Sequence, residues 1–421
     1  MNADGPEHAR FASAANRDVP LARPGEFRPL ALGSLRIWPP VVLAPMAGVT
    51  NYPFRALCRS FGAGLFVSEM ITARGFLMGN SRTILLASSR ADESPRSVQI
   101  YSSDPVDIGE MVARLVDQGV HHVDLNLGCP VPKVTASGGG SAIPVKPKLM
   151  ARLVRAMAKR ANGVPVTVKV RKGIDESLST FRDAGRVASE EGASAIGLHA
   201  RTAAQLYHGE ADWNAIGELK SAVSIPVLGN GDIWEAFDAL RMMRATGCDG
   251  VIVGRGCLGR PWLFRELADV FGDERAEPGG RGEPGPLGGR EPAPPPRLGE
   301  ITQIMRRHAA ALAEFFGEKV GVQQMRKWTS WYTKGFPGSA ALRDRLHRIE
   351  TLADLDALLA VLDPDAPFPE SALRVSRAKG GRTQRVSLPH GYLAHRDDDT
   401  PPRSPHSLAE IEAWERALNS G

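Results

Sequence analysis

Eight short apolar runs, most followed by a longer amphipathic stretch, fill the chain from residue 41 to about residue 271. They span 41–44, 65–67, 97–100, 123–126, 166–170, 195–199, 227–229 and 250–253. Between them lie stretches of helical periodicity, among them 107–118, 147–161, 178–191 and 233–245. A parallel strand pair needs a crossover long enough to return the chain, and an amphipathic helix is the usual one. Eight repeats over roughly 230 residues therefore predict an α/β fold, a (β/α)8 TIM barrel. An open doubly wound sheet would use the same elements, but no Gly-x-Gly-x-x-Gly follows the first run, where a dinucleotide fold needs it.

The rest of the chain divides by composition. Residues 1–35 are polar and aperiodic and are expected to form a loose arm, with the barrel over 36–271. Seven glycines and seven prolines among residues 272–297 leave too little apolar matter for a core, so 272–298 reads as a linker. Helical periodicity returns over 299–363, enough for a small helical domain, and 364–421 reads as a basic, largely irregular tail with a short helix near 408–418. The four cysteines (Cys58, Cys129, Cys248 and Cys257) are far apart and form no Cys-x-x-Cys pair, which argues against a disulfide framework and suits a reducing cytoplasm. No signal-peptide core or membrane-length apolar stretch is present. A net charge of +5 permits a polyanionic partner without requiring one.

In a barrel of this kind the reacting groups gather at the C-terminal ends of the strands. Those ends hold Pro45-Met46-Ala47, Gln99, Asn126 with Cys129, Lys169 with Arg171, His199 with Arg201, Asn230-Gly231-Asp232, and Gly254-Arg255. Gly128 and Pro130 bracket Cys129, so its thiol sits where the chain turns sharply out of a strand. A reactive thiol and a small cysteine buried in a turn both fit that placement. The glycine-rich turns after the seventh and eighth runs expose N–H groups to a phosphate, with Arg255 adding charge, though tight turns alone would also use them. Strand periodicity points Thr167, Lys169 and Arg171 to one face, and a cation inside a barrel calls for an anion. His199 is either a ligand contact or a satisfied core histidine.

The ordered motifs resemble those of the tRNA-dihydrouridine synthases, most closely the bacterial B type. The matching segments are Ala44-Pro45-Met46-Ala47-Gly48-Val49-Thr50 with Phe54-Arg55, Gln99, and Asp124-Leu125-Asn126-Leu127-Gly128-Cys129-Pro130 running on to Gly140-Ser141-Ala142. Lys169-Val170-Arg171, His199-Ala200-Arg201-Thr202, Asn230-Gly231-Asp232, Gly254-Arg255-Gly256 and Met325-Arg326-Lys327 follow in order. Ala203 and Pro144 depart from the family pattern. The resemblance implies an FMN enzyme fuelled by NADPH (or NADH) that reduces the C5–C6 double bond of particular uridines in tRNA. It implies that Pro45, Met46, Ala47, Gln99, Lys169, His199, Asn230, Gly231, Asp232, Gly254 and Arg255 hold the flavin, and that Cys129 delivers a proton to C5.

Asn126, Arg171, Arg201, Arg326 and Lys327 are the candidates for substrate contact. Residues 300–350 carry nine Lys/Arg against five Asp/Glu, which makes the helical part the expected tRNA surface, with Trp328, Trp331, Tyr332 and Phe336 expected in its core. The basic run 374–385 is expected to be a solvated segment. A cytoplasmic monomer with no metal and no membrane contact completes the expectation. Two rivals use the same residues: a flavin barrel that reduces a free pyrimidine, and an RNA-binding protein whose barrel has lost catalysis.

Overall fold

The computed structural model describes residues 10–62, 64–273, 288–377, 382–402, 409–410 and 412–413. It divides into two compact units, one from the described parts of Arg28–Ile233, Met242–Gly254 and Lys379–Gly421, the other from those of Met1–Phe27, Trp234–Arg241 and Arg255–Ala378. Most of the linker expected at 272–298 and most of the helix expected near 408–418 lie outside the described residues.

The first unit is the expected barrel. Its eight barrel strands are β1 (Val41–Leu43), β2 (Leu65–Phe66), β3 (Ser97–Tyr101), β4 (His122–Leu127), β5 (Val166–Arg171), β6 (Ala195–His199), β7 (Val227–Asn230) and β8 (Gly250–Val253), and a ninth, two-residue strand at Ile71–Thr72 pairs in parallel with β3. The eight pair in parallel in chain order, β8 returns to β1, and a parallel bridge from Val67 to Ser97 closes β2 on β3. Nearly every strand residue is buried, as continuous apolar runs covered on both faces must be. The stretch expected to be helical from 178 divides: Leu178–Ser179 pairs back on Gly173–Asp175, and the helix begins only at Phe181. Asp175 causes the break, because its Oδ1 accepts from the N–H groups of Ser177 and Leu178 and fixes a turn there.

Regular structure starts earlier than expected. Within the supposed arm, Leu30–Leu32 and Leu35–Ile37 form an antiparallel hairpin around Gly33-Ser34. Leu30, Leu32 and Ile37 pack with Val42, Leu65, Val67, Leu228 and Ile252, so the hairpin supplies one end of the barrel core. The loop after β1 is fixed by a buried ion pair. Arg55 Nε and Nη2 reach Glu93 at 2.5 and 2.7 Å, and its Nη1 donates to the Thr50 carbonyl at 2.8 Å. Removing one member strands the other charge, so Arg55→Ala is expected to cost about 3–5 kcal/mol in urea unfolding. A loss under 1 kcal/mol would show that water reaches Glu93.

The second unit is largely helical, with Leu298–Phe316, Glu318–Tyr332, Ser339–Leu346 and Leu352–Leu359. Trp328, Tyr332 and Phe336 are buried, and the ring of Trp328 packs against those of His308 and Trp331 at 4.6 and 4.8 Å. The basic run at 374–385 is not simply solvated. Arg374 bridges the buried carboxylates of Glu235 and Asp238 at 2.9 Å, and buried Arg377 donates to the carbonyls of Trp331 and Ala372. Two buried acids need a cation, and the tail supplies it. Lys379 lies outside the described residues.

Candidate active site

The register of β3, β4 and β5 sets Gln99 beside Asp124, Asp124 beside Thr167, and Asn126 beside Lys169. These side chains make one connected network. Thr167 Oγ1 donates to Asp124 Oδ1 at 2.5 Å and Gln99 Nε2 to Asp124 Oδ2 at 2.6 Å. With its one proton given to Asp124, Thr167 can only accept from His122 Nε2, 3.0 Å away. His122 Nδ1 is then the acceptor for Ser97 Oγ at 2.7 Å. Burial holds His122 neutral, with a pKa pulled down to about 3, which agrees with that tautomer.

The other arm of the network ends at the cysteine. Asn126 Nδ2 donates to Gln99 Oε1 at 2.8 Å, while its Oδ1 accepts from the backbone N–H groups of Gly128 and Cys129 at 3.2 and 3.0 Å. Asn126 therefore shapes the turn that presents Cys129 and keeps one amide hydrogen beyond those bonds. The returning chain closes the loop: Ser141 N donates to the Cys129 carbonyl at 3.0 Å. Gly140 permits this, since its φ is +53° and a Cβ there would meet that carbonyl at 2.5 Å. Cys129 is the one cysteine of the four that is not fully buried, and desolvation pushes its thiol pKa upward, so it stays protonated at neutral pH.

Lys169 and Asp124 face the barrel interior, where they line a cavity with Leu32, Val67, Thr167 and Ile252. Gly197, the register partner of Lys169 on β6, makes room: a Cβ there would lie 2.7 Å from Ile252 and 3.5 Å from the lysine stem. Burial first, and Arg171 second, pull the Lys169 pKa down to about 7 against the opposing pull of Asp124. Burial likewise lifts Asp124 to about 6, although the hydrogen bonds from Thr167 and Gln99 and the charge of Lys169 oppose it.

The remaining expected residues fall at the strand ends, several with partners in the protein. Met46 N donates to Thr50 Oγ1 at 2.9 Å, with half-buried Pro45 and exposed Ala47 beside it. Arg171 is buried and donates to the carbonyls of Gly128, Thr202 and Leu206, tying the loop after β4 to the loop after β6. Asn230 Nδ2 bonds the Ile252 carbonyl on β8. Asp232, at φ +59°, takes both carboxylate oxygens to Arg201 Nη2 at 2.8 Å. Arg201 is 2% exposed, and its Nη1 has no hydrogen-bond partner. That nitrogen lies 3.6 Å from the Cβ position of Gly231, as does a ring carbon of His199. A buried guanidinium with an orphan donor beside a turn is the fit an anionic phosphate requires.

In the helical unit, Arg255 opens a short 3-10 turn with its guanidinium 5.2 Å over the Trp234 ring. Arg326 and Lys327 are half-buried, Arg326 donating to the Ile349 carbonyl and Lys327 to Gln324. Ser97, His122 and Thr167, which complete the network, were not singled out as site residues. The alternation His122-Val-Asp124-Leu-Asn126 puts three polar groups on one strand face, and that was the available signal.

A dihydrouridine synthase family model matches residues 42–366, more than half of the chain. The chain belongs to the dihydrouridine synthase family. A probable tRNA-dihydrouridine synthase of Mycobacterium tuberculosis is 49% identical over 381 residues, covering 88% of this chain and 93% of that protein. The corresponding protein of Mycobacterium leprae is 46% identical over 391 residues, covering 86% and 97%. tRNA-dihydrouridine synthase B of Pseudomonas aeruginosa is 38% identical over 320 residues, covering 76% and 90%. Membership makes the chain an oxidoreductase, and its barrel carries the Asp124 network and the Cys129 turn. Among the described residues no helix is long and apolar enough to cross a membrane.

Proposed function

We propose that this enzyme reduces particular uridines of tRNA to 5,6-dihydrouridine, with flavin mononucleotide as cofactor and Cys129 as the proton donor. The observation that carries this reading is the half-buried thiol of Cys129 on a turn pinned by hydrogen bonds to Asn126 and Ser141, where desolvation favours the protonated form. When bound, reduced flavin mononucleotide supplies the hydride that goes to C6 of the uracil ring, and NADPH supplies the electrons for the next turnover. Everything else falls to the protein.

Cys129 gives its proton to C5 and is left as a thiolate, which regains a proton from solvent before the next cycle. A target base inside a folded RNA must leave its stack to reach a thiol at a strand end. The spare amide hydrogen of Asn126 suits a uracil carbonyl. Arg201, with its unpartnered Nη1, and the Asn230-Gly231-Asp232 turn suit the cofactor phosphate, Asp232 acting by holding Arg201 in place. Lys169 suits the electron-rich edge of the ring system, with Pro45, Met46, Ala47, Gln99 and His199 around it. In the helical unit, Arg326 and Lys327 are offered as contacts to RNA phosphates, together with Lys334, Arg343 and Arg345.

The test is spectroscopic. The purified protein is expected to be yellow, to bleach with NADPH under anaerobic conditions, and to regain colour on addition of unmodified tRNA. Colour restored by free uracil but not by tRNA would replace the proposal with a small-pyrimidine reductase. No flavin after reconstitution would leave an RNA-binding protein.

A further inference from the structure

Residues 382–402 of the C-terminal tail belong to the barrel unit and lie beyond the segment the family model matches. This segment is anchored at three places, two on the loops around Cys129 and one on the helix that follows. Gln384 Nε2 donates to the carbonyls of Pro130 at 2.7 Å and Ala203 at 3.1 Å, and Gln384 N donates to Ala204 O at 2.8 Å. One side chain thus joins the residue next to Cys129 to the loop after β6. Buried Tyr392 sets its hydroxyl 3.2 Å from the carbonyls of Gly138 and Ala142, which flank Gly140, the glycine that closes the loop. Its ring packs with Ala142, Val145 and Ile174, and Val386 and Leu388 of the tail add to that cluster. Finally, Asp397, Asp398 and Asp399 pair with Lys148, Lys146 and Arg152 at 3.2, 2.7 and 3.2 Å, along the helix Pro147–Arg160 that follows the loop.

The anchors differ in what they can do. The acidic run holds the tail down, but its contacts are to a helix that the neighbouring helices Pro105–Asp117 and Phe181–Glu190 and strand β5 already fix. Gln384 and Tyr392 instead bind backbone carbonyls of the loop that bears Cys129. That loop's regular structure is the four-residue helix Pro132–Thr135 and the 3-10 turn Gly140–Val145, both too short to hold a fixed geometry by themselves. A proton donor must be held within a fraction of an ångström, and a displacement of about 1 Å can lower a rate by about 100-fold.

We infer that residues 382–400 are a strap that sets the position of the Cys129 loop, with Gln384 its principal positioning residue. The inference rests on the proposed role of Cys129 for its kinetic consequence, but not for its structural one. Cys58, Cys248 and Cys257 are buried, so alkylation of the folded protein by iodoacetamide reads Cys129 alone.

In the full-length protein, Gln384→Ala is expected to raise the alkylation rate of Cys129 by about fivefold or more. Flavin content and the rate of bleaching by NADPH should not change. Reoxidation by saturating tRNA should slow by about tenfold or more, with KM for tRNA within about twofold of the parent. Gln384→Glu should be slower still, because its carboxylate faces two carbonyl oxygens. Tyr392→Phe, which keeps the ring packing, should reproduce the direction with a smaller change.

A lower melting temperature with unchanged alkylation and unchanged reoxidation would overturn the inference, since the tail would then only clamp the fold. A loss confined to KM with unchanged alkylation would also overturn it and make Gln384 an RNA contact. Should the parent enzyme itself ignore tRNA, the proposed function fails, and the alkylation comparison still decides the strap.

Discussion

Replacing Cys129 with alanine is expected to leave the protein yellow and reducible by NADPH, while its reoxidation by tRNA slows by at least about 100-fold. The separation follows from where the residue sits. Cys129 takes no part in the Ser97–His122–Thr167–Asp124–Gln99 network through its side chain; its backbone is held by Asn126 at the N–H and by Ser141 at the carbonyl. Removing the sulfur therefore leaves the turn intact. Serine is expected to rescue little, because a hydroxyl is a far weaker acid than a thiol.

The pH profile gives a second reading of the same group. Desolvation raises the Cys129 pKa above the usual thiol value of about 8.5, so the donor stays protonated where an exposed thiol is already losing its proton. The tRNA-dependent step should hold level through that range and decline only above it, as the thiolate form takes over. Reoxidation by tRNA that survives in the alanine variant would remove Cys129 from the chemistry. A decline centred well below 8.5 would mean that a different group controls protonation.

The architecture was readable because each of its signals is local. Short apolar runs buried on both faces alternate with amphipathic helices, and no long-range knowledge is needed to see that. Cys129 stood out for a similar reason, since Gly128 and Pro130 mark its turn. The hairpin at Leu30–Ile37 is equally local, with Leu30, Leu32, Leu35 and Ile37 spaced around Gly33-Ser34 as a two-residue turn requires, but its three-residue strands lie at the edge of a polar, aperiodic segment.

What stayed hidden depends on register and on tertiary pairing. Asp124 and Asn126 are visible as inward groups on one strand, but that Gln99 joins them follows only once β3 and β4 are aligned. Arg374 and Arg377 read as part of a solvated basic run because their partners, Glu235 and Asp238 for one and two backbone carbonyls for the other, are far away in sequence. Gln384 has no period, motif or charge to mark it. Its importance comes from the two carbonyls it meets.

Lys169 carries the second large effect, and here function and stability are expected to move in opposite directions. Its pKa of about 7 lies far below the 10.4 or so of an unfolded lysine. Between those two values the unfolded chain holds a proton that the folded chain has released, so stability rises with pH across that window. Below about pH 7 both states are charged, and the full desolvation penalty is present.

In cofactor-free protein, Lys169→Met should abolish that rise and increase stability at pH 7 by on the order of 1 kcal/mol, since a buried cation gives way to an apolar side chain of similar length. Asp124 loses an opposing charge but keeps its bonds from Thr167 and Gln99, and a carboxyl already lifted to about 6 can take up a proton instead. The same variant should retain flavin at least about tenfold less well, because the anionic partner that justifies a buried ammonium would have lost its counter-charge. Melting curves between pH 6 and 10, beside flavin content after gel filtration, separate the two effects. A variant that is less stable at pH 7 and keeps its flavin would make Lys169 a structural partner of Asp124. A variant that is more stable and colourless would mean that the barrel tolerates a charge its fold does not need, for the sake of the group it binds.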